Sequence, residues 1–151
     1  MHTLVRRYIK TAIAFLVIGL LLGAWMIVQR ELGEGGVHPH LVSAHTHILL
    51  IGFVMFMILG VGQWIFPRPA AGDTRYRPAL AESAYWILLL TTSARSLAEV
   101  ARDFSDVMVV RWVIVIAAIG QIVGFVVYFA VMWSRIRPVG SQVREGRGER
   151  F

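Results

Sequence analysis

The chain has 151 residues, 57% of them hydrophobic and only 16% charged, with a formal charge of +6 and no cysteine. A soluble domain of this size carries about 25% charged residues and shorter apolar runs, so a soluble class is excluded. The lack of cysteine excludes disulfides, thiolate metal ligands, iron–sulfur clusters and covalently attached haem.

Four apolar runs, at about 9–28, 41–66, 80–100 and 107–133, reach the roughly 20 residues that a helix needs to cross a bilayer. The expected fold is therefore an all-α membrane protein, a bundle of four transmembrane helices over residues 1–137. A Gly- and Arg-rich tail over 138–151 is expected to be disordered. The first run follows Arg6, Arg7 and Lys10 as a signal peptide would. It is longer than the usual h-region of about 7–15 residues and no small-x-small site follows Trp25, so it is expected to be a retained helix.

The basic residues set an expected orientation. Arg6, Arg7 and Lys10 precede the first helix, Arg68, Arg75 and Arg77 lie between the second and third, and Arg135, Arg137, Arg144, Arg147 and Arg150 follow the fourth. The positive-inside rule then places both termini in the cytoplasm of a cell whose inner membrane holds the chain. Charges so placed are topology signals and contacts to anionic lipid, not a nucleic-acid footprint. Gly19-x-x-x-Gly23 and Gly120-x-x-x-Gly124 offer close helix approach, and a four-helix monomer has little interior, which points to a homo-oligomer.

The second run is led by His38, His40, His45 and His47, four of the chain's five histidines. Imidazole is expensive in a bilayer and is the commonest side-chain ligand for metals, so the cluster is a candidate metal or haem site. At about 100° per residue His45 and His47 diverge by roughly 200° around a helix and do not ligate one ion together. One is expected to point into the bundle, the other toward a neighbouring subunit or lipid headgroups. Non-covalent haem b would take one of them as axial ligand, with the second position filled from another subunit, by water or by a methionine, or left empty. Met108, at the outer start of the fourth helix, is the first methionine candidate by depth and Met26 the second.

Arg95 lies within the third run with Glu99 four residues on, an ion pair by spacing. At the depth of His45 and His47, Arg95 is a candidate partner for a haem propionate, with Arg111 or Arg102 as a second cation. Glu31, Glu34, Asp103 and Asp106 crowd the same end, and with His38, His40, His45 and His47 they are candidate ligands for copper or zinc. Tyr85, Gln63, Gln121 and Tyr128 are intramembrane polar groups on the inner side, too sparse for a proton path.

The stretch His45-Thr-His47-Ile-Leu-Leu-Ile-Gly52-Phe53, continuing through Gly60 to Phe66-Pro67-Arg68, resembles the second helix of haem–copper oxidase subunit I. The likeness is greatest to the branch of high-affinity cytochrome oxidases, nitric oxide reductases and their short relatives. It implies that His47 or His45 is an axial haem ligand. His47 is favoured because it leads directly into the apolar run and the Gly52-Phe53 step. The chain has no His-His pair and no histidine in its third or fourth helix, so the binuclear oxygen-reducing centre of that family is not implied. The expected function is haem b binding, with electron transfer to or from quinol or a soluble carrier, or gas binding. Two other expectations stand beside it: a copper or zinc protein using the histidine cluster, and a cofactor-free accessory subunit of a respiratory complex.

Overall fold

The computed structural model describes residues 3–33, 36–67, 77–136, 143 and 147–148, and among these it is entirely helical. Helix α1 spans Thr3–Leu32, α2 Pro39–Ile65, α3 Pro78–Phe104 and α4 Met108–Met132, followed by a 3-10 turn at Trp133–Arg135. The expected tail, the turn around Gly72-Asp73, and His2 and Glu34 lie outside the described residues apart from the three tail positions named above.

Local chemistry fixes the helix ends. Pro39 and Pro78 occupy the first turns of α2 and α3, where a missing N–H costs nothing, and each follows an extended residue, His38 and Arg77. At the far end of α2, Phe66 turns extended before Pro67, as a residue preceding proline is biased to do. The helices are longer than the apolar runs because Arg, Glu and Asp flank them without breaking the backbone ladder.

Three helices, α1, α2 and α4 with its terminal turn, are long and apolar enough to cross a membrane. Helix α3 has comparable length but carries Glu82, Arg95, Glu99, Arg102 and Asp103. Glu99 and Arg95 are bonded to residues of α2 and α4, the two helices α3 packs on most, whereas Glu82 pairs with Arg7 of α1.

Both expected small-residue seams are used within the chain. A Cβ on Gly19 would lie 2.4 Å from a Leu49 methyl, and one on Gly124 would lie 2.7 Å from Leu88. The first seam therefore joins α1 to α2 and the second joins α3 to α4. The core lies toward the ends that carry Tyr8, Tyr85 and Tyr128. There the Tyr8 ring packs edge-on at 5.0 Å from Tyr85 and 6.1 Å from Tyr128, with Phe56 at 5.4 Å. Tyr8 and Tyr85 both face this core.

Helix α2 is not the plain α-helix expected. From Ile48 to Met55 it winds as a π-helix, closed by the Phe56 N–H donating to the Ile51 carbonyl five residues back. Such wide turns are rare and are enriched at functional sites. This one starts at the residue after His47. At Gly52, inside it, a Cβ would come within 2.5 Å of the Phe15 ring, so the widened turn rests against α1 through the one residue that leaves room.

Candidate functional site

The histidine-bearing ends of the four helices meet in one region, and there the four imidazoles part company. His47 faces α3. Its Nδ1 lies 2.8 Å from the Ser43 carbonyl oxygen and 3.1 Å from Glu99 Oε2. Both partners accept, so Nδ1 carries the hydrogen that reaches them. The Glu99 side chain is 4% exposed and accepts twice more, from Ser43 Oγ at 3.0 Å and from Arg95 Nε at 3.1 Å.

The network continues into α4. Arg95 Nη1 donates to Gln121 Oε1 at 2.8 Å, and Gln121 Nε2 donates to Thr92 Oγ1 at 3.2 Å. Every charge in this group has a partner, which is the condition for holding charges among apolar helices. The Arg95–Glu99 pair expected from spacing is present. Arg95 is occupied by Glu99 and Gln121, both within the protein. Gln121 bridges α4 to α3.

His45 faces the other way, against α1. Its Nδ1 is 3.1 Å from the Gly19 carbonyl oxygen, and its Cε1 would meet a Cβ on Gly23 at 2.7 Å. Glycine at 23 is what lets the edge of the ring rest on the helix. The carbonyl again fixes the hydrogen on Nδ1, and Nε2 makes no hydrogen bond with the described residues. The expected divergence of His45 and His47 is found, with both rings packed on neighbouring helices. His45 therefore meets α1 where headgroups or a second subunit were the expected alternatives.

His45 also lines a groove of about 530 Å3 between α1 and α2. Its walls are aliphatic, including Leu20, Ile27, Val42 and Leu49, and Arg30 stands among them. The volume falls within the range of about 300–1,000 Å3 usual for small-molecule sites, which are apolar with a few placed polar groups. Met26 lines the same groove. Met108, the first methionine candidate, is 62% exposed at the start of α4 and does not line it.

The remaining candidates lie at the helix ends. His38 Nδ1 approaches Asp103 Oδ1 to 2.8 Å, tying the start of α2 to the end of α3. The approach is out of line for a hydrogen bond, so Asp103 Oδ1 is left without one among the described residues. His40 is exposed. Arg111 Nε donates to Asp106 Oδ1 at 2.8 Å, and Arg102 also contacts that carboxylate. The arginines hold the Asp106 carboxyl below its ordinary value, the Arg111 hydrogen bond being the larger cause and that from Arg102 the next.

The four histidines thus go to four places: Asp103, solvent, α1 and α3. Among the described residues no group of three or more histidines and carboxylates is gathered about a point where a metal ion could sit. What the sequence left invisible was the groove, because Gly23, Met26 and Arg30 acquire meaning only once α1 is known to face His45. Their spacing (i, i+3, i+7) marks one helix face, and that was the available signal.

Comparison with protein-family models, with curated proteins and with solved structures gave no match to this chain.

Proposed function

We propose that this chain is a membrane haem b-binding protein in which His45 supplies an axial ligand from the groove between α1 and α2. One observation carries the reading: an imidazole whose Nδ1 is pinned by a backbone carbonyl and whose Nε2 is unoccupied lines an apolar groove with a guanidinium in it. A backbone acceptor on the far nitrogen is the usual way proteins orient a metal-binding imidazole. In this reading the aliphatic walls would hold the macrocycle, Arg30, which also donates to Glu31 at 3.0 Å, would meet a propionate, and His45 Nε2 would hold the iron. When bound, haem supplies one-electron chemistry, which makes quinol or a soluble carrier the expected exchange partner.

The chain's own contribution is orientation and exclusion. Gly19 and Gly23 set the ring, while Leu20, Ile27, Val42 and Leu49 keep water from it. The likeness to the second helix of haem–copper oxidase subunit I supports the same reading. In this proposal α3 is a fourth span, its Arg95 and Glu99 neutralising each other, and the basic N-terminal residues Arg6, Arg7 and Lys10 keep that terminus cytoplasmic, with the C-terminus on the same side. The exposed apolar face of α4, from Val109 to Val126, is the expected contact for lipid or for further copies.

A second reading assigns the ligand to His47, favoured by the Glu99 carboxylate behind its Nδ1. One experiment decides: absorption spectra of the detergent-purified chain from haem-supplied cells, oxidised and reduced. A Soret band that shifts on reduction and is lost in His45→Ala but kept in His47→Ala supports the proposal. The reverse pattern moves the ligand to His47. A wild-type protein with no Soret band sinks the haem reading.

A further inference from the structure

The two ends of the bundle differ in charge balance. At the histidine-bearing end, Arg30, Arg95, Arg102 and Arg111 each contact a carboxylate, drawn from Glu31, Glu99 and Asp106. At the end that carries Tyr8, Glu82 is the one carboxylate on the described helices, against Arg6, Arg7, Lys10, Arg77 and Arg135. Glu82 is taken by Arg7, and the Arg135 guanidinium is committed to carbonyls of α2. Arg6 and Lys10 are exposed and make no ion pair among the described residues.

Lys10 follows Arg6 by four residues, so their Cβ atoms stand about 5–6 Å apart on one face of α1, where like charges repel. Arg6 is also one turn from the start of a helix whose first turn holds no acid, and the helix dipole disfavours a cation there. An external anion relieves both costs. The same face continues as Ile13 and Val17, each about half exposed. Trp64, exposed near the far end of α2, lies one turn beyond the Gly60 contact with Tyr8, and tryptophan is enriched at the headgroup level of a membrane. Two cations at that level above a strip of aliphatic side chains match a phosphate with an acyl chain beneath it.

We propose that Arg6 and Lys10 form a two-cation site for the phosphate of an anionic phospholipid, whose chain lies along Ile13 and Val17. The site is separate from the groove between α1 and α2, which lies on the Leu20 to Arg30 half of α1, and it does not depend on what that groove holds. Arg7 is not part of it, because Glu82 already neutralises that side chain.

The test uses the full chain in neutral detergent with equal amounts of phosphatidylglycerol and phosphatidylcholine of the same acyl length, and counts retained lipids by native mass spectrometry. The wild type should retain phosphatidylglycerol in preference. Arg6→Gln and Lys10→Gln should each weaken that retention about fivefold, the usual worth of one basic residue beside anionic lipid. The charge-keeping variants Arg6→Lys and Lys10→Arg should retain it, and circular dichroism checks that every variant stays helical. Arg77→Gln removes an equally exposed cation from the same end and should change little. Equal retention of the two lipids by the wild type overturns the proposal. So does a loss in Arg77→Gln as large as that in Arg6→Gln, which would mean diffuse surface charge instead of a site. Displacement of phosphatidylglycerol by an equal concentration of inorganic phosphate also overturns it, since a free anion would then be the ligand.

Discussion

Glu99 and His47 meet across the α2–α3 interface, carboxylate Oε2 to imidazole Nδ1 at 3.1 Å, with Arg95 on the other carboxylate oxygen at 3.1 Å. One buried anion therefore organises two basic side chains from two helices. Replacing Glu99 by alanine leaves His47 only the Ser43 carbonyl and leaves the Arg95 charge facing only Gln121. Removing one partner of a buried pair typically costs about 3–5 kcal/mol, and the 21% exposure of Arg95 puts this case lower, at about 2–3 kcal/mol. The double variant Arg95→Leu with Glu99→Leu should be less destabilised than Glu99→Ala alone, because no unpaired charge remains. Reversible unfolding in mixed detergent checks this; a double variant worse than the single one would sink the argument.

Gly23 makes a different prediction, because its role is room. Alanine is the better helix former by about 0.5–1 kcal/mol, so Gly23→Ala should leave the fold intact or slightly firmer. Its Cβ, however, would stand 2.7 Å from His45 Cε1 and lift the ring off α1. The Nδ1 bond to the Gly19 carbonyl is then lost, and loss of such an orienting partner lowers metal affinity by about tenfold or more. Haem titration alongside thermal unfolding reads both effects. Weaker unfolding resistance with unchanged haem affinity would contradict the assigned role.

The part of this architecture that is legible in the sequence is the part written in local spacing. Apolar runs locate the helices, Pro39 and Pro78 mark two starts, and the interval from Arg95 to Glu99 reveals their pair. The 200° separation of His45 and His47 likewise follows from helix geometry, and their opposite partners agree with it. Contacts between helices are not legible in this way. Nothing near Glu99 in sequence announces His47, 52 residues away, and nothing near Gln121 announces Arg95. The π turn from Ile48 to Met55 is also hidden: its residues are ordinary helix-core types, with Gly52 packed close to Phe15. Depth along a helix can be counted from sequence, whereas the face a helix turns to its neighbour cannot.

Asp106 gives a prediction about pH at the loop between α3 and α4. Hydrogen bonds from Arg111 and then Arg102 hold its carboxyl below the ordinary aspartate value. A depressed folded-state value means that the unfolded chain binds the proton more readily. The pair's contribution to stability is therefore complete above the ordinary aspartate range and is lost as pH falls through the lowered folded value. In Arg111→Gln the Asp106 carboxyl should titrate closer to its ordinary value, and Arg102→Gln should move it less. Carbon NMR of the labelled carboxyl follows each shift. An unchanged titration in Arg111→Gln would show that the contact is not populated in solution.

Arg135 is the least expected structural residue, since the sequence marks it only as an orientation signal. Its side chain is buried beneath the far end of α2, where Nε donates to the Pro67 carbonyl at 2.9 Å and Nη2 to Gln63 and Phe66 carbonyls at 2.8 and 3.0 Å. Those carbonyls belong to the last turn and exit of α2, where the ladder leaves acceptors unsatisfied and a cation is favoured by the helix dipole. Arg135 thus closes α2 from the end of α4, which keeps the two helices in step at the end opposite the histidines. Arg135→Ala should cost about 2–4 kcal/mol, since charged hydrogen bonds are lost and three carbonyls must find other partners. Arg135→Lys should recover little of it, because a single ammonium does not reproduce the planar fork that reaches three acceptors at once. Hydrogen exchange gives the local readout: in Arg135→Ala the amides of Gly62 to Phe66 should lose protection, while those around His45 keep it. Uniform loss along α2 would instead mean that the whole bundle depends on this clamp.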